Sequence, residues 1–320
     1  MKKPRILRFM VLVVVMLVLG WIVRTYNFSA GGALFSGLGS LHERLREPSS
    51  PRQRVDSPLI IGHRGAGIEL QGGRGIAGNT LRSIEKATRS NVDWIEIDVR
   101  KSNDGTLFLF HDADVRRVTN AVQKLPGRKD WRFSSLTDDE IARIRVAYPG
   151  KGARIPTLAS AMEAFPSDPS IKCVLDLKEV ISPDELVAAT GELDPNRFIL
   201  FGQEACLKPF AEQEHDAGVN LHRLGYTALW SEDNNRFHFL FGHEFLLQRC
   251  KALDCDYLVL PAMFLNQDLI DDVRAERDLN GLKILAYGID EDQPFKATDM
   301  GIDGLIVDFP QKVRLKYFRK

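Results

Sequence analysis

Glu96 and Asp98 stand two residues apart in the stretch 94–112, WIEIDVRKSNDGTLFLFHD, where Ile95, Ile97 and Val99 alternate with Glu96, Asp98 and Arg100. A period of two belongs to a strand, so both carboxylates leave the same face. Like charges held that close repel unless a proton or a cation lies between them, and a hard divalent cation meets that need. Asn103-Asp104-Gly105 then signals a hairpin turn, and the apolar run 107–110 ends on His111-Asp112. A histidine is thereby delivered to the mouth of a second strand beside the paired acids. Taken alone, the same residues also describe a half-buried strand with a solvated acidic face and a surface histidine.

The elements that must position these groups alternate along the chain. An apolar strand at 58–62 ends on His63-Arg64-Gly65, a glycine-rich loop runs through Gly78, and Asn79-Thr80 opens an amphipathic helix over 81–90. Thr137 with Glu140 forms a capping box, and Ile155-Pro156-Thr157-Leu158 leads into a helix that ends at Ala164. Further strands are expected at 171–177, 198–201, 220–224, 257–260, 284–287 and 304–307, with helices at 183–190, 207–217 and 265–276. Such alternation fits a TIM-type (β/α)8 barrel or an open doubly wound sheet. The barrel is favoured because the polar residues fall where strands end: His63-Arg64, Glu96 and Asp98, His111, Asp176 with Lys178, and Asp290. No G-x-G-x-x-G follows the first strand, so a dinucleotide site has no local support.

With 44% hydrophobic and 27% charged residues, the 320-residue chain has the composition of a globular protein with a sizeable core. Its 43 basic residues balance 43 acidic ones, which argues against nucleic acid or another polyanion as a general partner, so phosphate recognition has to be local. Lys2, Lys3, Arg5 and Arg8 precede an uncharged run over 9–23, a membrane-directed pattern. As a helix that run spans roughly 22 Å, short of a ~30 Å hydrocarbon core, so it reads either as an anchor with snorkelling flanks or as a signal-peptide core. The uncleaved single-pass anchor over 1–25 is the favoured reading, with the basic residues cytoplasmic and the rest on the non-cytoplasmic side; a cleaved segment makes the protein secreted. Residues 26–57 read as a flexible tether and 58–320 as the barrel domain. Cys173, Cys206, Cys250 and Cys255 make no zinc pattern; Cys173 reads as a buried thiol, and Cys250 and Cys255 read either as thiols or as a bridged pair. The aromatic-rich stretch 225–249 reads as core packing or as a lipid-facing rim.

In order and spacing, Ile61-Gly62-His63-Arg64-Gly65, Asn79-Thr80-Leu81, Glu96-Ile97-Asp98-Val99, Asp104-Gly105 and His111-Asp112 resemble the signature of glycerophosphodiester phosphodiesterases. The motifs Ile155-Pro156-Thr157-Leu158, Leu175-Asp176-Leu177-Lys178 and the closing run 301–310, GIDGLIVDFP, continue the resemblance. It implies a TIM-type barrel that hydrolyses a phosphodiester with one divalent cation, Mg or Ca. Glu96, Asp98 and Asp176 are then the metal ligands, His63 and His111 the general acid/base pair, and Arg64 and Lys178 the phosphate contacts. The implied substrate is a glycerophosphodiester, giving glycerol phosphate and an alcohol, or a lysophospholipid-type molecule met at the membrane. Two positions depart from the pattern. Gly78 stands where the family has a glutamate, with Glu69 on the same loop as a replacement, and Asp176 stands where a glutamate is commoner. The Asp-x-Lys pair is similar instead to sphingomyelinase-D-type phospholipases. Gly78 also keeps open a second reading, a degenerate barrel that binds phosphodiester headgroups without turnover.

Overall fold

The computed structural model describes residues 57–67, 76–146, 152–191, 194–217, 222–228, 230–231, 236–237, 243–279 and 281–317. In chain order the strands are β1 (Leu59–Gly62), β2 (Trp94–Lys101), β3 (Leu107–Leu109), β4 (Lys172–Leu177), β5 (Phe198–Gly202), β6 (Leu224–Thr227), β7 (Trp230–Ser231), β8 (Arg236–Phe237), β9 (Tyr257–Pro261), β10 (Lys283–Tyr287) and β11 (Gly304–Val307). Eight of them pair in parallel in the order β2, β1, β11, β10, β9, β6, β5, β4, and β4 pairs back onto β2 to close the ring. The closed parallel barrel that the alternation predicts is therefore formed. Strand β3 lies outside it, antiparallel on the end of β2, and β7 with β8 forms a separate antiparallel pair.

Alternation on each strand sorts side chains into two cores. Inside the barrel lie Ile61, Trp94, Val174, Ile199, Phe201, Tyr257, Val259, Leu285 and Ile306, with Trp94 and Tyr257 meeting edge to face at 5.2 Å. Outside it, Ile95, Ile97 and Val99 of β2 join the apolar layer that the surrounding helices cover. Each such isoleucine is fully buried, so truncating Ile97 to alanine is expected to cost about 2–5 kcal/mol. A third cluster, around Phe108, Phe110, Phe133, Leu136 and Ile141, fills the long connection between β3 and β4. Phe110 stacks on Phe133 at 4.8 Å, which fixes the backbone immediately before His111.

Local sequence sets the helix boundaries. Thr80, Thr137 and Ser182 cap the helices Leu81–Thr88, Asp138–Arg143 and Pro183–Thr190 through complete capping boxes, each side-chain oxygen accepting an otherwise unpaired first-turn N–H. One strand departs from its expected place: of the segment expected at 220–224, residues 220 and 221 lie outside the described residues, and the strand formed is β6, Leu224–Thr227. Its Leu-Gly-Tyr-Thr sequence carries a weak apolar signal because Gly225 makes room for a neighbour. A Cβ there would lie 2.3 Å from the Phe201 ring inside the barrel. Tyr226 is fully buried in the outer core, which supports the packing reading for that part of the aromatic stretch. All four cysteines are buried and none is in a disulfide, so Cys250 and Cys255 form no bridge. No helix among the described residues is long and apolar enough to cross a membrane. The expected anchor over 1–25 and the tether over 26–56 lie outside the described residues.

Candidate active site

The C-terminal ends of β1, β2 and β4 bring the expected charged residues together. Because Ile95, Ile97 and Val99 face the outer core, Glu96 and Asp98 face the barrel interior, where they are 3% and 1% exposed. Asp176 is the register partner of Asp98 on β4. One carboxylate oxygen from each of Glu96, Asp98 and Asp176 lies within 4.8 Å of the others. Three convergent oxygen donors, two buried and that of Asp176 half-buried, are the set a hard divalent cation takes, and they give no reason to prefer Mg over Ca.

The paired acids differ in their surroundings. Asp98 accepts a hydrogen bond from Asn79 Nδ2 at 2.7 Å, and the charged Lys178 Nζ and Arg64 Nε lie 2.9 Å and 3.2 Å from its oxygens as ion pairs. Burial opposes its ionisation, but the Lys178, His111 and Arg64 charges and the Asn79 amide hold its carboxyl well below the usual range. Glu96 accepts the backbone N–H of Arg64 at 2.7 Å. Burial and the Asp98 charge push its carboxyl up to about 7, against the smaller opposing pull of His63 and Lys178. Without a further cation the cluster therefore tends to hold a proton on Glu96, as two like charges in one site require. Lys178 Nζ sits 2.5 Å from Asp176 and 2.9 Å from Asp98, and although burial works against its charge these carboxylates raise its pKa. The ammonium is thus a resident counter-ion of the acids as well as a group able to meet a phosphate.

Both histidines reach this cluster from different elements, and each is held by a carboxylate. His63 extends β1 through its backbone bond to Val307, and its Nδ1 lies 2.7 Å from Asp308 Oδ1. Glu291 in turn receives the Asp308 backbone N–H at 2.5 Å. His111 Nδ1 lies 2.8 Å from Asp112 Oδ1, and Arg117 clamps Asp112 with Nε at 2.7 Å and Nη2 at 2.6 Å. A proton on Nδ1 satisfies each carboxylate and leaves Nε2 as the exchangeable position. Burial and Arg64 pull the His63 pKa down, but Asp308 and Glu96 outweigh them and it lies above its ordinary value. For His111, burial and Arg64 prevail over Asp98 and Asp112, and the pKa lies below. Two imidazoles displaced in opposite directions are a workable acid and base pair.

Arg64 owes its position to a left-handed backbone, φ 50°, which turns its N–H onto Glu96 and is followed by Gly65 at φ 83°. Its side chain lies against Gly78, where a Cβ would stand 2.8 Å from Arg64 Cβ. The glycine that departs from the resemblance is therefore covered by the arginine, and a glutamate there requires Arg64 to move. Glu69, the expected replacement, lies outside the described residues. Reading residues one at a time missed Asp308 and Asp112 as partners of the histidines. Asp112 had a signal in its adjacency to His111, whereas Asp308 is 245 residues from His63 and meets it only because β1 pairs with β11.

An acid-lined mouth on a closed parallel barrel, flanked by two carboxylate-held histidines and two cations, is the equipment of a phosphoryl-group hydrolase. The model of the glycerophosphoryl diester phosphodiesterase family matches residues 63–239, more than half of the chain, and the protein belongs to that family of enzymes. A glycerophosphodiester phosphodiesterase of Caldanaerobacter subterraneus subsp. tengcongensis is 24% identical over 261 residues, 79% of this chain and 95% of that one. The glycerophosphodiester phosphodiesterase domain-containing protein 5 of Gallus gallus is 42% identical over a shorter stretch of 79 residues, 25% of this chain and 12% of that one. Two solved structures share the fold. An Oleispira antarctica phosphodiesterase in complex with its product sn-glycerol-3-phosphate has a TM-score of 0.59 at 23% identity, covering 81% of this chain and 96% of that one. The glycerophosphodiester phosphodiesterase of Thermotoga maritima has a TM-score of 0.57 at 22% identity, covering 81% and 98%.

Proposed function

We propose that the enzyme hydrolyses glycerophosphodiesters to glycerol phosphate and an alcohol in a reaction that depends on a divalent cation, Mg or Ca. The observation that carries this reading is the convergence of Glu96, Asp98 and Asp176 beside His63 and His111. Glu96, Asp98 and Asp176 would hold the cation, which would supply charge neutralisation for the phosphate. Arg64 and Lys178 hold the non-bridging phosphate oxygens from the protein side, with Lys178 exchanging its carboxylate contacts for the phosphate. One histidine takes the proton from the attacking oxygen as the new P–O bond forms. The other gives a proton to the alkoxide as the ester P–O bond breaks. Asp308 and Asp112 keep the two rings turned so that Nε2 faces the reacting groups.

A lysophospholipid-type substrate is the second substrate class this reading admits, supported by the Asp176-x-Lys178 pair. The uncharged run over 9–23 supports an anchor that keeps the barrel at a membrane on its non-cytoplasmic side. The test is alcohol release by the purified protein from a panel of glycerophosphodiesters and lysolipids, each with and without chelator. Turnover of glycerophosphodiesters that chelation abolishes is the expected result. Binding of these diesters with no release under added Mg or Ca refutes the reading and leaves a headgroup-binding barrel.

A further inference from the structure

Two hydroxyls at the barrel mouth lack what nearly every buried polar group in a folded protein has. Tyr287 Oη and Thr227 Oγ1 are buried and have no hydrogen-bond partner among the described residues. Both stand at the C-terminal ends of their strands, Tyr287 on β10 and Thr227 on β6. Their inward direction follows from alternation. Leu285, two residues before Tyr287, belongs to the barrel interior, and Tyr287 itself packs against that cluster. Thr227 shares the face of Gly225, whose Cα looks onto the Phe201 ring, and its register partner Val259 is also interior. The same order of strands sets their position relative to the charged groups. Round the closed ring, β10 lies diametrically across from β4, which carries Asp176, and β6 across from β1, which leads to His63. Burial and the Asp176 charge both keep the Tyr287 phenol protonated, so it faces the site as a neutral hydroxyl.

The mouth thus has two unlike walls. The wall of β1, β2 and β4 carries the carboxylates, both histidines' neighbours and the cations, whereas β6 and β10 offer neutral hydroxyls. Leaving a buried hydroxyl unmatched costs stability, and such a cost is kept where a ligand meets the group. An anionic phosphate is served by Arg64 and Lys178 on the first wall, so the group that suits the second is the uncharged end of the substrate. Resting on the glycerophosphodiester reading above, we propose that Tyr287 and Thr227 form a subsite for a polyhydroxy alcohol, hydrogen-bonding substrate hydroxyls across from the phosphate and determining specificity for hydroxylated diesters.

Tyr287→Phe and Thr227→Val remove the hydroxyls and keep the shapes, which separates ligand binding from packing. Two quantities are measured for wild type and variants: the unfolding midpoint, and kcat/KM for glycerophosphocholine relative to bis(p-nitrophenyl) phosphate, a diester with no hydroxyl. Each variant is expected to unfold at the wild-type temperature or above it, while the selectivity ratio falls by about 3- to 30-fold, as loss of one hydrogen bond to a ligand implies. A lowered midpoint with an unchanged ratio assigns the hydroxyls to the fold and overturns the proposal. A third measurement separates this idea from the hydrolase reading, namely calorimetric affinities for sn-glycerol 3-phosphate and inorganic phosphate. Preference for glycerol phosphate that weakens in both variants sustains the subsite even if no diester is turned over. Wild-type protein that binds the two equally refutes the subsite even if diesters are hydrolysed.

Discussion

The two ends of the barrel both carry charged side chains and treat them differently. At the N-terminal end of the strands, Lys172, Arg223, Asp256 and Lys283 line a polar depression of about 180 Å³. Arg223 pairs there with Asp256 at 2.6 Å, with side chains 46% and 26% exposed. At the C-terminal end, Asp98 is 1% exposed and Glu96 3%, with the cations and histidines packed around them. A solvated pair contributes little in either direction, whereas buried like charges are expensive unless something binds between them. The fold thus concentrates its electrostatic cost at one end, which is where the chemistry is placed.

The largest expected effect breaks the cluster itself. Glu96→Gln and Asp98→Asn should each lower kcat/KM by roughly 10³-fold or more, since loss of a ligand removes several kcal/mol of transition-state charge stabilisation. Metal-free Glu96→Gln should unfold no earlier than the wild type in a urea titration at neutral pH, because a buried repulsion goes with the charge. A large loss of stability together with unchanged activity would place Glu96 in a structural role.

Next come the histidines. His63→Ala or His111→Ala should reduce kcat by about 10²–10⁴ with little change in KM, and the double variant should be far less than additively worse. Smaller, roughly 10–100-fold, is the expected effect of Asp308→Asn or Asp112→Asn, which leave the imidazoles in place but loosen their orientation. Removing Asp308 also removes a group that favours the His63 imidazolium. The limb of the pH–rate profile governed by His63 should therefore move to lower pH, and a limb that moves upward would show that Asp308 does not set that pKa.

The smallest effect belongs to the opposite end. Lys283→Met should leave kcat/KM within about twofold and stability within about 0.5 kcal/mol, as for surface positions in general. Steady-state kinetics and a thermal melt check both. A strong loss of turnover would mean that the two ends are coupled and that burial alone does not distinguish them.

The comparison also shows what a sequence reveals. The alternation in residues 94–100 was enough to place Glu96 and Asp98 on one interior face, because one-sided burial leaves a strand a single register. The closing strand at Gly304–Val307 was equally legible from its unbroken apolar run. Strand β6 was displaced because what makes it a strand is its pairing with β5 and β9, with Gly225 leaving room for the Phe201 ring, and no local pattern carries either contact. Asp308 could be quoted as part of a motif but not given its role, since its contact with His63 exists only once the ring closes. The Tyr287 and Thr227 hydroxyls were invisible for a related reason: the strand of Tyr287 could be proposed from sequence and that of Thr227 only in its displaced position, and an unmet hydrogen bond is a property of the assembled mouth.

Proton-coupled cation binding tests the central claim most directly. In the metal-free protein the Glu96 pKa is raised from 4.5 to about 7. A carboxyl whose folded pKa exceeds its unfolded value contributes stability that is fully present below about 4.5 and lost as pH rises through about 7. A divalent cation should reverse that loss by taking the proton's place. Titrating metal-free protein with Mg or Ca in a calorimeter at pH 6, in two buffers of different ionisation enthalpy, should show one site per chain, release of protons, and activity that returns in step with occupancy. Glu96→Gln should release fewer protons. Full turnover by chelated protein, or cation binding with no proton released and no activity regained, would contradict the account.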